Sequence, residues 1–231
     1  MLQTTTVTSC RHCVLAHTCV ISGLALQCPS SAASTVHHQR FRPGELLLTE
    51  GEPTHRLQVV KTGLIMLGQR GPEGLNKPLA LVGRGHTLGA RALSKAPALM
   101  WARAQSDVAV CCLHLPTLPS PCGPAGQAML PELYTRTLLA LADWSQVVRV
   151  GKLRNRVLAA LGLLVKAQGG GARILLPRQA DLAELLCITR ESLGRTMRAL
   201  EAEGVFTRID RRYADVALPA PAVVQAIAGL S

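Results

Sequence analysis

Eight cysteines stand in a chain of 231 residues, and four of them, Cys10, Cys13, Cys19 and Cys28, crowd the first 28 positions. Cys111 and Cys112 are neighbours, while Cys122 and Cys187 stand apart from any other cysteine. In a short secreted chain such a count implies disulfides. This chain is long, and its opening, MLQTTTVTSC, has no basic stretch leading into an apolar one, so no export signal is expected. Thiols kept reduced act as small buried hydrophobes, as nucleophiles or as soft metal ligands. Cys10-x2-Cys13-x5-Cys19 with a fourth thiolate suits by count a [4Fe-4S] cluster or tetrahedral Zn²⁺ equally well, and the spacing does not choose between them. His12 and His17 interleave these cysteines and are expected to be hydrated surface side chains. His37-His38 is expected to be loop, and Cys122 and Cys187 structural thiols.

A second constellation is Arg190-Glu191-x-x-x-Arg195. An Arg fork matches guanine O6 and N7, and a Glu accepts from cytosine N4, so the trio can read a G·C-rich edge in a major groove. A solvated helix face with internal ion pairs is the bland alternative. The surrounding pattern favours the groove. Asp181 to Leu186 predicts a short helix with Leu182, Leu185 and Leu186 inward and Ala183 permitting close packing. Cys187-Ile188 makes a turn, and Thr189 caps a second helix whose Leu193, Met197 and Leu200 face a core. That leaves Arg190, Glu191, Gly194, Arg195 and Arg198 outward, with Arg178 ahead of the first helix as a further candidate contact. Glu203-Gly204 stops the second helix, and VFTRIDRRYADVAL reads as a two-stranded ribbon with Asp210-Arg211-Arg212 at its tip. Helix, turn, helix and basic ribbon make a winged helix-turn-helix.

The elements upstream differ in period. Residues 29–39 have loop composition. From Phe41 to Leu118 short apolar runs (ELLL, LQVV, LIML, LALV, VAVCCLHL) alternate with Gly and Pro, as in a β-roll. Arg42 to Glu45, Thr49 to Glu52, Lys61 to Gly63 and Gly85 to Gly89 read as turns, and Pro116 to Pro124 closes the region. From Gln127 to about Val150 a helix is expected, with Pro131 in its first turn. Tyr134, Leu138, Leu141, Ser145 and Val148 recur along it as a coiled-coil-like seam, which suits dimerisation. No amphipathic helix is expected over residues 20–40. A further helix runs from Lys152 to Ala167 and ends at Gly169-Gly170-Gly171. The expected fold is α+β: a cysteine-rich arm (1–28), a β-roll sensor domain (29–126), a dimerisation helix (127–151) and a winged helix-turn-helix (152–231).

Apolar types make up 48% of the chain, enough for a packed core, yet aromatic residues are only 3%, so the core must rest on Leu, Val and Ala. The net charge of +11 and a pI near 9.8 exclude an acidic solvating chain and point to a polyanionic partner. Thirteen of the 25 Lys and Arg lie between Arg149 and Arg212, against six acids there, which places the charge in the part expected to read DNA. No apolar run reaches the roughly 18 residues of a membrane span, so a cytoplasmic protein with no membrane partner is expected.

At this point the order of parts resembles the CRP/FNR superfamily of bacterial transcription regulators, over essentially the whole chain. FRPGELLLTEGE, the KTGLIML strand pair, GHTLG and the helix-turn-helix fall in family order. Within the family, Cys10-x2-Cys13-x5-Cys19 resembles the N-terminal iron–sulfur ligands of the oxygen-sensing FNR branch. That branch takes its fourth thiolate from a Val-Cys pair late in the roll, where Val110-Cys111 stands here. Cys111 shares strand parity with Leu113 and Leu115; Cys112 is the second choice and Cys28 the third. The resemblance implies an oxygen- or redox-labile [4Fe-4S] cluster, a homodimer on an inverted-repeat operator in duplex DNA, and RNA polymerase as a partner. Its cyclic-nucleotide branch has a Glu after the Gly of the phosphate cassette and then an Arg-Ser pair. Here Ala90 follows Gly89 and Pro97-Ala98-Leu99 replaces the pair, so no cyclic nucleotide is expected. Arg190-Glu191-x-x-Gly194-Arg195 is closer to the CRP motif than to Val-Glu-x-x-Ser-Arg, which implies a TGTGA-type half-site rather than TTGAT.

Two other readings remain. A regulator of the same fold could use zinc or a thiol–disulfide switch. An enzyme with a catalytic thiol or metal is disfavoured, because Gly169 to Gly171 precedes no Lys-Ser/Thr, no His-Glu-x-x-His occurs, and no paired acids suggest a cleft.

Overall fold

A computed structural model of the chain describes residues 3–4, 10, 13–17, 19–27, 36–115 and 123–217. His12, Cys28, Cys122 and residues 116–121 of the proline-rich patch lie outside them. Contacts group residues 1–65 with 83–139, and residues 66–82 with 140–231, into two compact units.

Among the described residues nine strands occupy the N-terminal half: β1 (Gln3–Thr4), β2 (Val36–Phe41), β3 (Leu46–Leu48), β4 (Arg56–Thr62), β5 (Ile65–Arg70), β6 (Asn76–Val82), β7 (Thr87–Leu88), β8 (Trp101–Ala104) and β9 (Val108–His114). They form a five-stranded sheet in the order β1-β2-β9-β4-β7 and a four-stranded sheet in the order β3-β8-β5-β6. The expected α+β architecture holds, and β1, β2, β7 and β8 add to the strands that the apolar runs marked. β2 begins at Val36, inside the stretch read as loop, because its polar His37-His38-Gln39-Arg40 hides the alternation. β7 is two residues long and lies inside the expected Gly85–Gly89 turn, and β8 is the Ala- and Arg-rich WARA. Lys61 and Thr62 belong to β4 rather than to a turn. Gly89 stands at φ +77, and a Cβ there would sit 2.2 Å from the carbonyl oxygen of Arg56, so no other residue fits.

Strand β9 is the sheet's centre. Val110, Cys111, Cys112 and Leu113 are all buried, as a strand covered on both faces requires. Helix α1 (Val20–Gln27) covers one of those faces directly after Cys19. Its segment VISGLALQ is apolar almost throughout, so no amphipathic period betrays it, and a helix forms where none was expected. Val20, Ile21 and Leu24 pack with Val36, Leu57, Val59, Cys111, Leu113 and Leu133. Burying each such side chain is worth about 1.5–3 kcal/mol, so carbon packing fastens α1 to the sheet, beside the pairing of β1 with β2.

Helix α2 (Gly123–Arg149) starts four residues before the expected Gln127, which places Pro131 in its interior rather than its first turn. The missing amide and ring of Pro131 remove one backbone bond. Burial of Leu133, Trp144 and Val147 on one face offsets that loss. The Trp144 indole Nε1 donates to the carbonyl of Leu81 on β6 at 3.0 Å. On the opposite face Tyr134, Leu138 and Leu139 are exposed and Leu141 and Val148 half-buried.

The second unit continues with α3 (Leu153–Ala167), β10 (Arg173–Leu175), α4 (Gln179–Leu185), α5 (Arg190–Ala202), β11 (Phe206–Arg208) and β12 (Tyr213–Val216). The ribbon is three-stranded, not two-stranded: β10 joins it in the order β10-β12-β11. Three residues after a glycine run gave too little pattern to mark β10. Leu182, Leu186, Leu193, Leu200 and Phe206 form the buried interior. β6 packs against α3 and α4 within this unit. Among the described residues no helix is long and apolar enough to cross a membrane.

Candidate nucleic-acid interface and cysteine site

The second helix of the helix-turn-helix, α5, is set by its ends. Thr189 caps it, its hydroxyl accepting from the Ser192 amide at 3.2 Å. Leu193, Met197 and Leu200 are buried, which turns Arg190, Glu191, Arg195 and Arg198 outward, all exposed. Cys187, in the turn before it, is exposed and adopts φ +54, a left-handed conformation uncommon for a residue with a Cβ.

The wing is fixed to this helix and braced at its tip. The Arg208 amide donates to the Glu201 carboxylate at 3.1 Å. Asp210 accepts from the amides of Arg212 and Tyr213 at 2.6 and 2.8 Å, and those amides hold its carboxyl below the usual range. Arg211 and Arg212 are thereby presented from a closed turn, both exposed. Between α5 and the wing lies a hollow of about 410 Å³, edged by Glu191, Gly194, Arg195 and Arg198 and also by Gln179 and Arg208. Gln179 and Arg208 carry no signal in the sequence, because only the tertiary fold brings α4's first residue and the β11 end beside α5. Arg178 also braces the fold, since its guanidinium, 68% exposed, bonds the largely buried Asp181 carboxylate at 2.8 Å.

The cysteine site lies in the first unit. In the antiparallel ladder His38 stands opposite Cys111, and Cys111 opposite Val59, so the three share one face of the sheet. Cys112 faces the other way, opposite His37 and Gln58. The arm's cysteines gather on the Cys111 face. Cys10, Cys13 and Cys19 are half-buried, Cys111 is buried, and none is in a disulfide. The Cys111 thiol is pushed up to about 12, by burial above all, with Lys61 opposing and the neighbouring Cys19, Cys10 and Cys13 adding to the rise. Burial also raises Cys10, with Cys19 and Cys13 adding to the rise, and Cys19, where the backbone of Ser22 and Ile21 opposes and Cys13 adds. For Cys112 the acting groups after burial are Arg56 and Gln58, with no arm cysteine among them. Among the described residues no three His, Cys, Asp or Glu side chains are arranged to hold a metal ion. A cubane cluster takes one thiolate at each of four separated irons, so it does not require donors that converge on a point. Four free thiols around an apolar floor fit such a group in kind.

Around Gly89, Ala90 begins a 3-10 turn (Ala90–Ser94), and the Arg91 guanidinium is spent on the Pro97 carbonyl at 2.7 Å. Ala98 is buried and Leu99 exposed, and both side chains are hydrocarbon. The His86 ring is enclosed, and among the described residues its Nε2 has no hydrogen-bond partner. Burial and then the Arg136 charge lower its pKa to about 4.

Residues 38–118 match the family model of the cyclic nucleotide-binding domain, and residues 155–222 that of the Crp-like helix-turn-helix domain. The chain is a transcription regulator of the CRP/FNR type. No curated protein sequence matches it. Similar solved structures include a CRP-family transcriptional regulator from Thermus thermophilus, 19% identical, covering 82% of this chain and 96% of its own, with a TM-score of 0.64. FixK2 from Bradyrhizobium japonicum is 18% identical over 85% of this chain and 97% of its own, with a TM-score of 0.67. A second Thermus thermophilus regulator, of the CRP/FNR family, is 23% identical over 84% and 100%, with a TM-score of 0.60. At these identities the likeness is one of fold. The Crp-like helix-turn-helix of this regulator implies DNA binding.

Proposed function

We propose that this regulator binds an inverted-repeat operator as a homodimer and that a [4Fe-4S] cluster on Cys10, Cys13, Cys19 and Cys111 controls it in response to oxygen or redox state. The observation that carries the sensor is the gathering of four free thiols, three from the arm and one from β9, on a single sheet face. Cys111 is favoured over Cys112 because Cys112 points to the opposite face. Tetrahedral zinc is the weaker reading, since a single ion needs donors that converge. The roll is proposed to bind no cyclic nucleotide, because Ala90, Ala98 and Leu99 stand where phosphate ligands would be needed.

When bound, the cluster supplies a centre whose charge and integrity change on exposure to oxidants. The chain's own residues do the rest. Val20, Ile21 and Leu24 hold the arm on the sheet and exclude water from the thiols. Arg190, Glu191 and Arg195 read base edges in a TGTGA-type half-site, Arg198, Arg211 and Arg212 bind phosphate, and Arg178 adds a contact from the start of α4. Tyr134, Leu138, Leu141 and Val148 join α2 to its copy. RNA polymerase is the proposed downstream partner, and the compartment the cytoplasm.

Anaerobic purification followed by iron, sulfide and zinc analysis tests the sensor. Near-stoichiometric iron and sulfide is the expected result, and Cys13→Ser without air should bind the operator as the parent does after air exposure. A colourless protein holding one zinc per chain, or a Cys13→Ser protein with full anaerobic affinity, overturns it.

A further inference from the structure

We propose that Lys61 is the counter-charge of the cysteine site and sets the reduction potential of the cluster held there, an inference that rests on the iron–sulfur reading above. Val60 pairs with Val110, and the next pair is Thr62 with Ala109, so Lys61 is an extra residue, a bulge in an interior strand of the sheet. Bulges re-aim a side chain and often adjoin functional sites. Opposed residues of an antiparallel ladder share a face, so Val59, Cys111 and Ala109 point the same way. Lys61, two residues from Val59 and beside Thr62, is carried onto that face.

Its ammonium acts on the whole site. It lowers Cys10, Cys19 and Cys111, favouring their thiolates, and it opposes protonation of His38, whose pKa is lowered first by burial. Cys13 belongs to the same group, since it acts on Cys10, Cys19 and Cys111. Among the described residues Lys61 forms no ion pair with a carboxylate, so the cysteine sulfurs, which are thiolates once they ligate iron, are the groups its charge faces. Lys61 is itself half-buried, and the floor below is hydrocarbon, so water screens this charge weakly.

A [4Fe-4S] core in its usual resting state, with four thiolates, carries a charge of −2, and uptake of one electron from an external reductant makes it −3. A fixed cation beside it stabilises the more negative state and so raises the potential. Taking the cation away must make the cluster harder to reduce and easier to oxidise.

The test compares full-length Lys61→Met, which keeps the apolar stem, with Lys61→Arg, which keeps the charge. Each is loaded anaerobically and titrated with a reductant while its visible absorbance and electron spin resonance are followed. Lys61→Met should show a more negative midpoint potential and severalfold faster bleaching in air, and Lys61→Arg should stay near the parent. A Lys61→Met protein that assembles no cluster while Lys61→Arg does also supports the counter-charge. An intact cluster of unchanged potential in Lys61→Met overturns the proposal and leaves the iron–sulfur reading standing, as does a failure of both variants. A parent protein without iron and sulfide overturns the reading and, with it, the role of Lys61.

Discussion

A Cβ added at Gly194 would meet nothing within 4 Å, and the residue lies inside α5, flanked by Leu193 and Arg195. Glycine in a helix interior costs about 0.8–1.0 kcal/mol relative to alanine, and no close neighbour among the described residues requires it here. If Glu191 and Arg195 read base edges as proposed, the compensation comes from outside the chain, where a bare backbone lets α5 seat closely in the groove. Gly194→Ala should therefore raise the stability of the protein by up to about 1 kcal/mol, visible as a higher Tm, while weakening operator binding. Unchanged DNA affinity in that variant would remove the reading. Arg195→Ala and Glu191→Ala should each cost roughly 1–3 kcal/mol on the preferred site and little on random duplex, measured by paired titrations. In the sensor, Cys111→Ser should abolish cluster assembly and Cys112→Ser preserve it, because the two side chains leave β9 on opposite faces. The parity with Leu113 and Leu115 made that distinction legible in sequence. The company Cys111 keeps was not, since His38, Val59 and Lys61 reach it only through strand pairing.

At the scale of elements, legibility followed periodicity. The helix-turn-helix stood out because Leu182, Leu186, Leu193, Met197 and Leu200 recur with a helix period and Thr189 supplies a cap. Helix α1 did not, because a segment apolar on every side has no period to detect. Strands β2 and β8 were obscured by polar and Ala-rich sequence, and β10 by its brevity. Helix α2 shows two faces: Leu133, Trp144 and Val147 inward, Tyr134, Leu138 and Leu139 out. Leu138 is 66% exposed, a large apolar side chain in the middle of that outward stripe. Leu138→Glu should therefore leave the fold intact yet shift the protein from dimer to monomer in sedimentation and abolish half-site cooperativity on the operator. A variant that stays dimeric would move the interface elsewhere.

Across the whole molecule, the enclosed His86 sets an acid limit. Its ordinary pKa of 6.5 falls to about 4 in the folded chain. Between those values the unfolded chain binds a proton that the folded one refuses, so stability is full above about pH 6.5 and declines as pH falls toward 4. The decline attributable to this group is about 3 kcal/mol. His86→Gln, which cannot titrate, should flatten that acid limb in denaturant titrations at successive pH values, whatever its effect at neutrality; an unaltered slope would assign the limb to other groups. The charge distribution works at the same scale. Exposed Arg190, Arg195, Arg198, Arg208, Arg211 and Arg212 lie in one unit, so affinity for any duplex should fall steeply as salt rises.

The bond from Trp144 to the Leu81 carbonyl bears on how such proteins can be recombined. It joins α2 to a strand encoded some sixty residues earlier, and that same strand packs on α3 and α4 within the DNA-reading unit. The reading head is therefore not a contiguous cassette. A chimera that joined residues 152–231 to a foreign sensor would leave behind both the indole and the strand that lines its helices, exposing apolar faces of α3 and α4. Exchanges that carry residues 66–82 along with everything from 140 onward should yield soluble, DNA-competent hybrids where a single splice point does not.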